Sequence, residues 1–240
     1  MKNSWTINAK GSDAIDILLY EEIGADLFGE GTTAKAFAED LKAAGSVSRI
    51  HLRVNSPGGN VFDGIAIYNT LLTHGATITA QVDGIAASIA SVILMAAGKI
   101  SIAANGIVMI HNPHVITGGD AGDLRQMAET LDKVKNSMIT AYQRHARGSK
   151  KEIADKMDRE TWMDADEALE AGFADRILTS GEDAGMAAAI DISRFKNVPQ
   201  PIAARIAAKA EGQVSLPNSE RRRLQSRLEL IRRLPDAGGY

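Results

Sequence analysis

Apolar and polar positions along this chain switch repeatedly between two periods. Residues 14–23, AIDILLYEEI, read as a strand. TTAKAFAEDLKAAG moves to helical spacing through Ala36, Phe37 and Leu41, with a cap at Thr32 or Thr33 and a stop at Gly45. Residues 48–54, SRIHLRV, alternate again, and NSPGGN at 55–60 is a loop. VFDGIAIYNTLLTHG puts Val61, Ile65, Tyr68 and Leu72 on one helical face. Residues 76–84 alternate as a strand ending at Asp83, with Gly84 turning the chain. The following IAASIASVILMAAGKI is almost all small or apolar and reads as a helix buried on every side. GIVMIHNP, residues 106–113, is another strand. A long helix is predicted over about 121–147 and a shorter one over 150–159. A capped helix follows in DADEALEAG and a last strand in FADRIL. This alternation predicts an α/β fold with parallel strands.

After about residue 180 the texture changes. SGEDAG and NVPQP are small, polar or proline-broken, and NSERRRLQSRLELIRRL is a short helical pattern. There Leu224, Leu228, Ile231 and Leu234 recur at helical spacing among Arg221, Arg222, Arg223, Arg227, Arg232 and Arg233. Such a segment is either a solvated helix or a basic amphipathic arm for an acidic partner. The expected division is a main domain over residues 1–179, then a flexible linker and basic helical tail over 180–240.

Composition narrows the function. The 240 residues are 45% hydrophobic and 24% charged, with a formal net charge of -3. That balance fits a soluble globular protein and asks for neither nucleic acid nor an anionic membrane. Cysteine is absent, which excludes disulfides, thiol catalysis and cysteine-bound zinc. The apolar run after Gly84 falls short of the ~18 residues of a membrane span. The N-terminus has no signal-peptide core. A cytoplasmic protein is expected.

Three stretches offer chemistry. Ser88 lies where a strand gives way to a helix, where free N–H groups favour a developing oxyanion. A lone serine there is more often a helix cap. Ser91, one turn on, reads as a buried contact. The glycines of NSPGGN allow a close backbone approach to a ligand, or form an ordinary turn. His111 ends the strand after the serine-bearing helix, so the two can converge as nucleophile and general base. The orienting acid has five candidates, Asp155, Asp158, Glu160, Asp164 and Asp166, and composition does not choose among them. The histidines show no metal-ligand spacing, and neither a metal nor a cofactor is expected.

In order along residues 14–179, RVNSPGG, GIAAS, MIHNP and WMDADEALEAGFADRIL resemble landmarks of the Clp protease proteolytic-subunit family, which are serine peptidases. The resemblance implies the Clp/crotonase-like α/β fold of repeated β-β-α units, here with a helical C-terminal extension. It implies Ser88 as nucleophile, His111 as base, and the backbone N–H groups of Gly59 and Ile89 as oxyanion donors. The family's aspartate aligns with Glu160, with Asp158 as the fallback. EIGADLFGEGTTAKAFAEDL and DRETWMDADEALEAGFAD look most like the Clp-type head-maturation proteases of tailed phages and prophages. The resemblance therefore implies a protein substrate such as a scaffold or capsid precursor, in the host cytoplasm or prohead. It also implies a homo-oligomeric ring, with residues 118–136 at the place of a ring-to-ring contact. The chain reaches its first strand almost at once, which puts dependence on an unfolding ATPase in doubt. Two other readings stand beside this one: an acyl-CoA enzyme on the crotonase-like fold, and a non-catalytic assembly protein.

Overall fold

The computed structural model describes residues 5–11, 13–25, 31–179, 192 and 194–204. The chain divides into two units, Met1–Pro199 and Gln200–Tyr240. In the second, residues 200–204 are helical. The SGEDAG link and the arginine-flanked pattern of the tail lie outside the described residues.

The first unit opens with a hairpin that the hydropathy pattern hides. β1 (Trp5–Ala9) pairs antiparallel with β2 (Ala14–Leu19). The inward Trp5 lies edge-on to Phe37 at 5.1 Å and its Nε1 donates to Asp40 at 3.0 Å. A short pair follows, β3 (Gly24–Ala25) with β4 (Gly31–Thr32). α1 (Ala34–Ala43) starts at Thr33, whose side chain accepts from the Ala36 N–H and so satisfies one orphan donor of the first turn. β5 (Arg49–Ser56) leads to α2 (Val61–Thr73), capped by Asn60.

β6 (Thr77–Ala87) is longer than its pattern suggests, because the strand runs through Asp83 and Gly84 rather than ending there. At that point it changes partner. Residues 79–82 pair in parallel with β7 (Lys99–Ala103), whereas residues 85–87 pair in parallel with β8 (Ile107–Ile110). Between them α3 (Ile89–Leu94) is only six residues long. The expected long buried helix is thus a strand end, one short helix, a turn and a further strand. An apolar run buried on both sides has no period to tell these apart.

α4 (Ala121–Tyr142) and α5 (Lys150–Asp158) match the two expected helices, each opening on a capping box. β9 (Thr161–Met163) then pairs antiparallel with β8. α6 (Ala165–Ala171) is capped by Asp164, and β10 (Arg176–Leu178) closes the edge beside β7. The result is an open eight-stranded sheet, β1-β2-β5-β6-β7-β10, with β8 and β9 branching from the far half of β6. This is a mixed α/β fold, parallel at its centre as the alternation predicts.

The core lies between the sheet and its helices. Ile50, Leu52 and Val54 of β5, Ile67 and Leu71 of α2, and all of α3 are buried in it. The other face of β5 and β6 carries a polar knot. Asp83, almost fully buried, accepts from Arg53 Nε at 2.8 Å, from Gln81 Nε2 at 2.6 Å and from the Tyr20 hydroxyl at 2.5 Å. A buried carboxylate needs such partners, since an unpaired one is strongly destabilising. Among the described residues, no helix is long and apolar enough to cross a membrane.

Candidate active site

Strand register brings the candidate residues to one edge. Ala87 pairs with Met109 across β6 and β8, and Ile110 pairs with Thr161 across β8 and β9. Ser88 follows β6, His111 follows β8, and Glu160 precedes β9, so all three leave the sheet at one place. Ligand sites of parallel sheets lie at such carboxyl ends of strands. The Ser88 N–H donates to the Met109 carbonyl at 2.9 Å, which fixes the two strand ends together.

His111 Nε2 and Ser88 Oγ are 2.7 Å apart. When Nδ1 carries the imidazole proton, Nε2 accepts the hydroxyl hydrogen, the arrangement a general base needs. Ser88 stands at the N-cap position of α3, yet its side chain makes no capping bond. Its backbone is at φ 56° and ψ −130°, a region seldom occupied except by glycine. Strain of this kind turns the hydroxyl out of the helix start and toward His111.

Ser91 has the structural role that its burial implies. Its hydroxyl donates to the Ser88 carbonyl at 2.6 Å and shares a bond with the Tyr142 hydroxyl at 2.9 Å. His111 is itself enclosed. Burial foremost, then the charges of His114, Arg194 and Lys196, push its pKa down to about 4 against the opposing pull of Glu160.

The five carboxylates separate in space. Asp155 pairs with Lys151 at 2.7 Å, Asp164 caps α6, and Asp166 is exposed in the first turn of that helix. Asp158 accepts from Lys135 and, at 2.8 Å, from Asn112 Nδ2. Glu160 is the buried one, and it too has a positive φ, 51°. Its hydrogen bonds run to Trp162 Nε1 at 3.3 Å, to the Lys196 N–H at 3.1 Å and to the Asn197 N–H at 2.7 Å. Neither Asp158 nor Glu160 is hydrogen-bonded to His111 in this conformation.

The NSPGGN loop closes the site from β5. A break in register between Val54 and Ser56 swings it toward Ser88. A Cβ at Gly58 would lie 2.7 Å from Ser88 Cβ and 3.1 Å from the Ile89 nitrogen, and one at Gly59 would lie 2.0 Å from the Ile23 carbonyl oxygen. Only glycine allows this approach. Ile89 opens α3, so its N–H is one that the helix leaves unpaired. Among the described residues, no three His, Asp or Glu side chains are gathered to hold a metal ion.

A profile of the family described as Clp protease matches residues 13–181. The chain belongs to the Clp protease family. It is 37% identical over 140 residues to the ATP-dependent Clp protease proteolytic subunit of Porphyromonas gingivalis, covering 58% of this chain and 63% of that one. It is 35% identical over 142 residues to proteolytic subunit 3 of Rhodococcus jostii, covering 58% and 70%. With subunit 1 of Streptomyces avermitilis the figures are 34% over 145 residues, 60% and 67%. The matches thus span about two thirds of the length of these relatives.

One group at the site of this Clp-family chain escapes sequence reasoning: the segment 194–197, beyond the stretch that the profile matches. Phe195 is buried, edge-on to His111 at 5.6 Å and to Trp162 at 5.4 Å. An aromatic residue between two loop-like breaks is the only signal that this segment packs on anything.

Proposed function

We propose that the protein is a serine endopeptidase of the Clp type. The observation that carries this reading is the 2.7 Å contact between Ser88 Oγ and His111 Nε2 at the shared end of β6 and β8. Ser88 attacks the scissile carbonyl while His111 takes its proton. His111 then protonates the leaving amine, and afterwards activates the water that releases the acyl group. The N–H groups of Gly59 and Ile89 receive the oxyanion. Glu160 accepts the Nδ1 hydrogen of His111 when its carboxylate turns to it, and Asp158 is the second candidate for that role. The chemistry needs no metal or cofactor and resides in residues 1–179, with 180–240 as linker and basic tail.

The substrate we propose is a scaffold or capsid precursor cut during phage head maturation, in the host cytoplasm or the prohead. Support comes from the likeness of residues 22–41 and 158–175 to phage and prophage members. A homo-oligomeric ring, stacked face to face on a second ring, is the proposed assembly. Val115, Ile116 and Leu124 support it, as large apolar side chains left exposed beside the start of α4. An ATPase partner is not part of this proposal.

A fluorophosphonate probe tests the chemistry. Ser88 is expected to be labelled and a fluorogenic peptide cleaved, and Ser88→Ala abolishes both. Labelling elsewhere, or cleavage that survives Ser88→Ala, overturns the reading.

A further inference from the structure

We propose that residues Arg194–Asn197 form an autoinhibitory strap that occupies the substrate side of the catalytic site, held across its mouth by Glu22 on one bank and Glu160 on the other. This rests on the peptidase reading of Ser88 and His111.

The strap is anchored at three points. On the first bank the Arg194 guanidinium pairs with Glu22 at 2.5 Å. Glu22 precedes Ile23, whose N–H donates to the Gly58 carbonyl and whose carbonyl accepts from the Asn60 N–H. This bank is therefore the one that carries the glycine loop beside Ser88. On the second bank the N–H groups of Lys196 and Asn197 donate to separate oxygens of the Glu160 carboxylate. Between them Phe195 fills the notch made by His111 and Trp162, with the Arg194 guanidinium over its ring at 5.5 Å.

Each contact opposes catalysis. A general base must be within reach of the substrate proton that it moves, yet His111 is only 8% exposed with Phe195 against its ring. Glu160 is the buried carboxylate nearest in register to His111, and the strap's main chain engages both of its oxygens. Arg194 and Lys196 add positive charge beside an imidazole that must become imidazolium in the transition state, and they act with burial and His114 against Glu160. Gly59, whose N–H is the proposed oxyanion donor, is bridged to Ile23 on the first bank, and His111 on the second carries Phe195 against its ring, so a strap that spans both banks competes with a scissile peptide for the same ground.

The contacts are also of a kind that can release. One is an exposed ion pair, two are main-chain hydrogen bonds, and one is a single aromatic ring. If the strapped state dominates, the apparent activity falls to the fraction of molecules that are open. Weakening one anchor raises that fraction while the Ser88, His111 and Glu160 side chains themselves stay in place.

The test uses the full chain with Phe195→Ala or Arg194→Glu. Both variants are expected to react with a fluorophosphonate probe and to cleave a fluorogenic peptide about tenfold faster in kcat/KM than the unmodified protein, the change expected when an open minor state becomes the major one. The acid limb of the pH–rate profile is expected to move up from near 4 toward the ordinary range of histidine. Equal rates in all three proteins overturn the strap. So does a folded Phe195→Ala protein with lower activity, since the segment then assists catalysis. If no protein labels at Ser88, the peptidase reading has failed, and the strap is still read without activity. Histidine C2 hydrogen–deuterium exchange, followed by mass spectrometry, reports the pKa of His111 directly. It is expected to rise in Phe195→Ala, and an unchanged value overturns the proposal.

Discussion

The backbone of Ser88 predicts that the candidate nucleophile is stable only at a cost, and two substitutions measure it. Ser88→Ala and Ser88→Gly both remove Oγ and its bond to His111, so that loss cancels between them. They differ in what the backbone tolerates at φ 56° and ψ −130°. Alanine keeps the strain, of about 1–3 kcal/mol for a non-glycine residue in such a region. Glycine relieves it but has a more disordered unfolded chain, which offsets about 0.4–1 kcal/mol. Glycine also loses the Cβ contact with Gly58, worth a fraction of the ~0.8 kcal/mol of a buried methylene. The balance favours glycine by about 1 kcal/mol, or roughly 2–4 °C in midpoint for a chain of this size. The assay is urea and thermal unfolding of the two variants at one protein concentration, which holds any assembly constant. Both are expected to be inactive, with Ser88→Gly the more stable. An alanine variant as stable as the glycine variant would refute the strain, and with it the account of how the hydroxyl is turned toward His111.

Other outcomes follow from the same geometry. Glu160→Gln is expected to lower kcat on a peptide by at least about a hundredfold through loss of the imidazolium's partner; its amide hydrogens would also face the Lys196 and Asn197 N–H groups. Asp158→Asn, which weakens exposed contacts with Lys135 and Asn112, is expected to cost less than about tenfold, and the reverse ranking moves the acid to Asp158. His111 has a depressed pKa when folded, so its neutral form is fully stabilising only above the ordinary 6.5 and that stability is lost as pH falls toward about 4. The loss approaches about 3 kcal/mol at full protonation, read as a fall in urea midpoint between pH 7 and pH 4.5 that His111→Gln reduces; equal pH dependence in both proteins defeats it.

Much of the fold is legible in local chemistry. Thr33, Ser149 and Asp164 announce their helices because each satisfies a first-turn N–H, which depends on neighbours alone. β7 and β9 are not legible: one is five residues long and follows an apolar run without period, and the other is three residues long. At the site, Ser88 and His111 can be read as a pair because two adjacent parallel strands end on them. Composition does not choose the acid, because five carboxylates lie within twelve residues and differ only in the direction each faces, and it is the family resemblance alone that singles out Glu160. The strap is the least legible part. Its bonds join Glu160 to Lys196 and Asn197, far along the chain, and they run through main-chain N–H groups that every residue but proline possesses.

The smallness of residues 84–91 has a cause beyond filling the core. β6 leaves β7 for β8 at Asp83 and Gly84, and in that short span three elements crowd against it. Gly58 approaches Ser88 so closely that a Cβ there would lie 2.7 Å from Ser88 Cβ. Gly64 of α2 meets Ile89 in the same way, with 2.1 Å from its would-be Cβ to Ile89 Cγ1. Overpacking at either point would force a shift, and each contact abuts the residue that carries the hydroxyl or the N–H beside it. Ala86, Ala87, Ala90 and Ser91 are small because the glycine loop, α2 and the end of β8 converge there. The run therefore records the packing around Ser88, the candidate nucleophile, and its one strained residue is the one whose side chain faces His111.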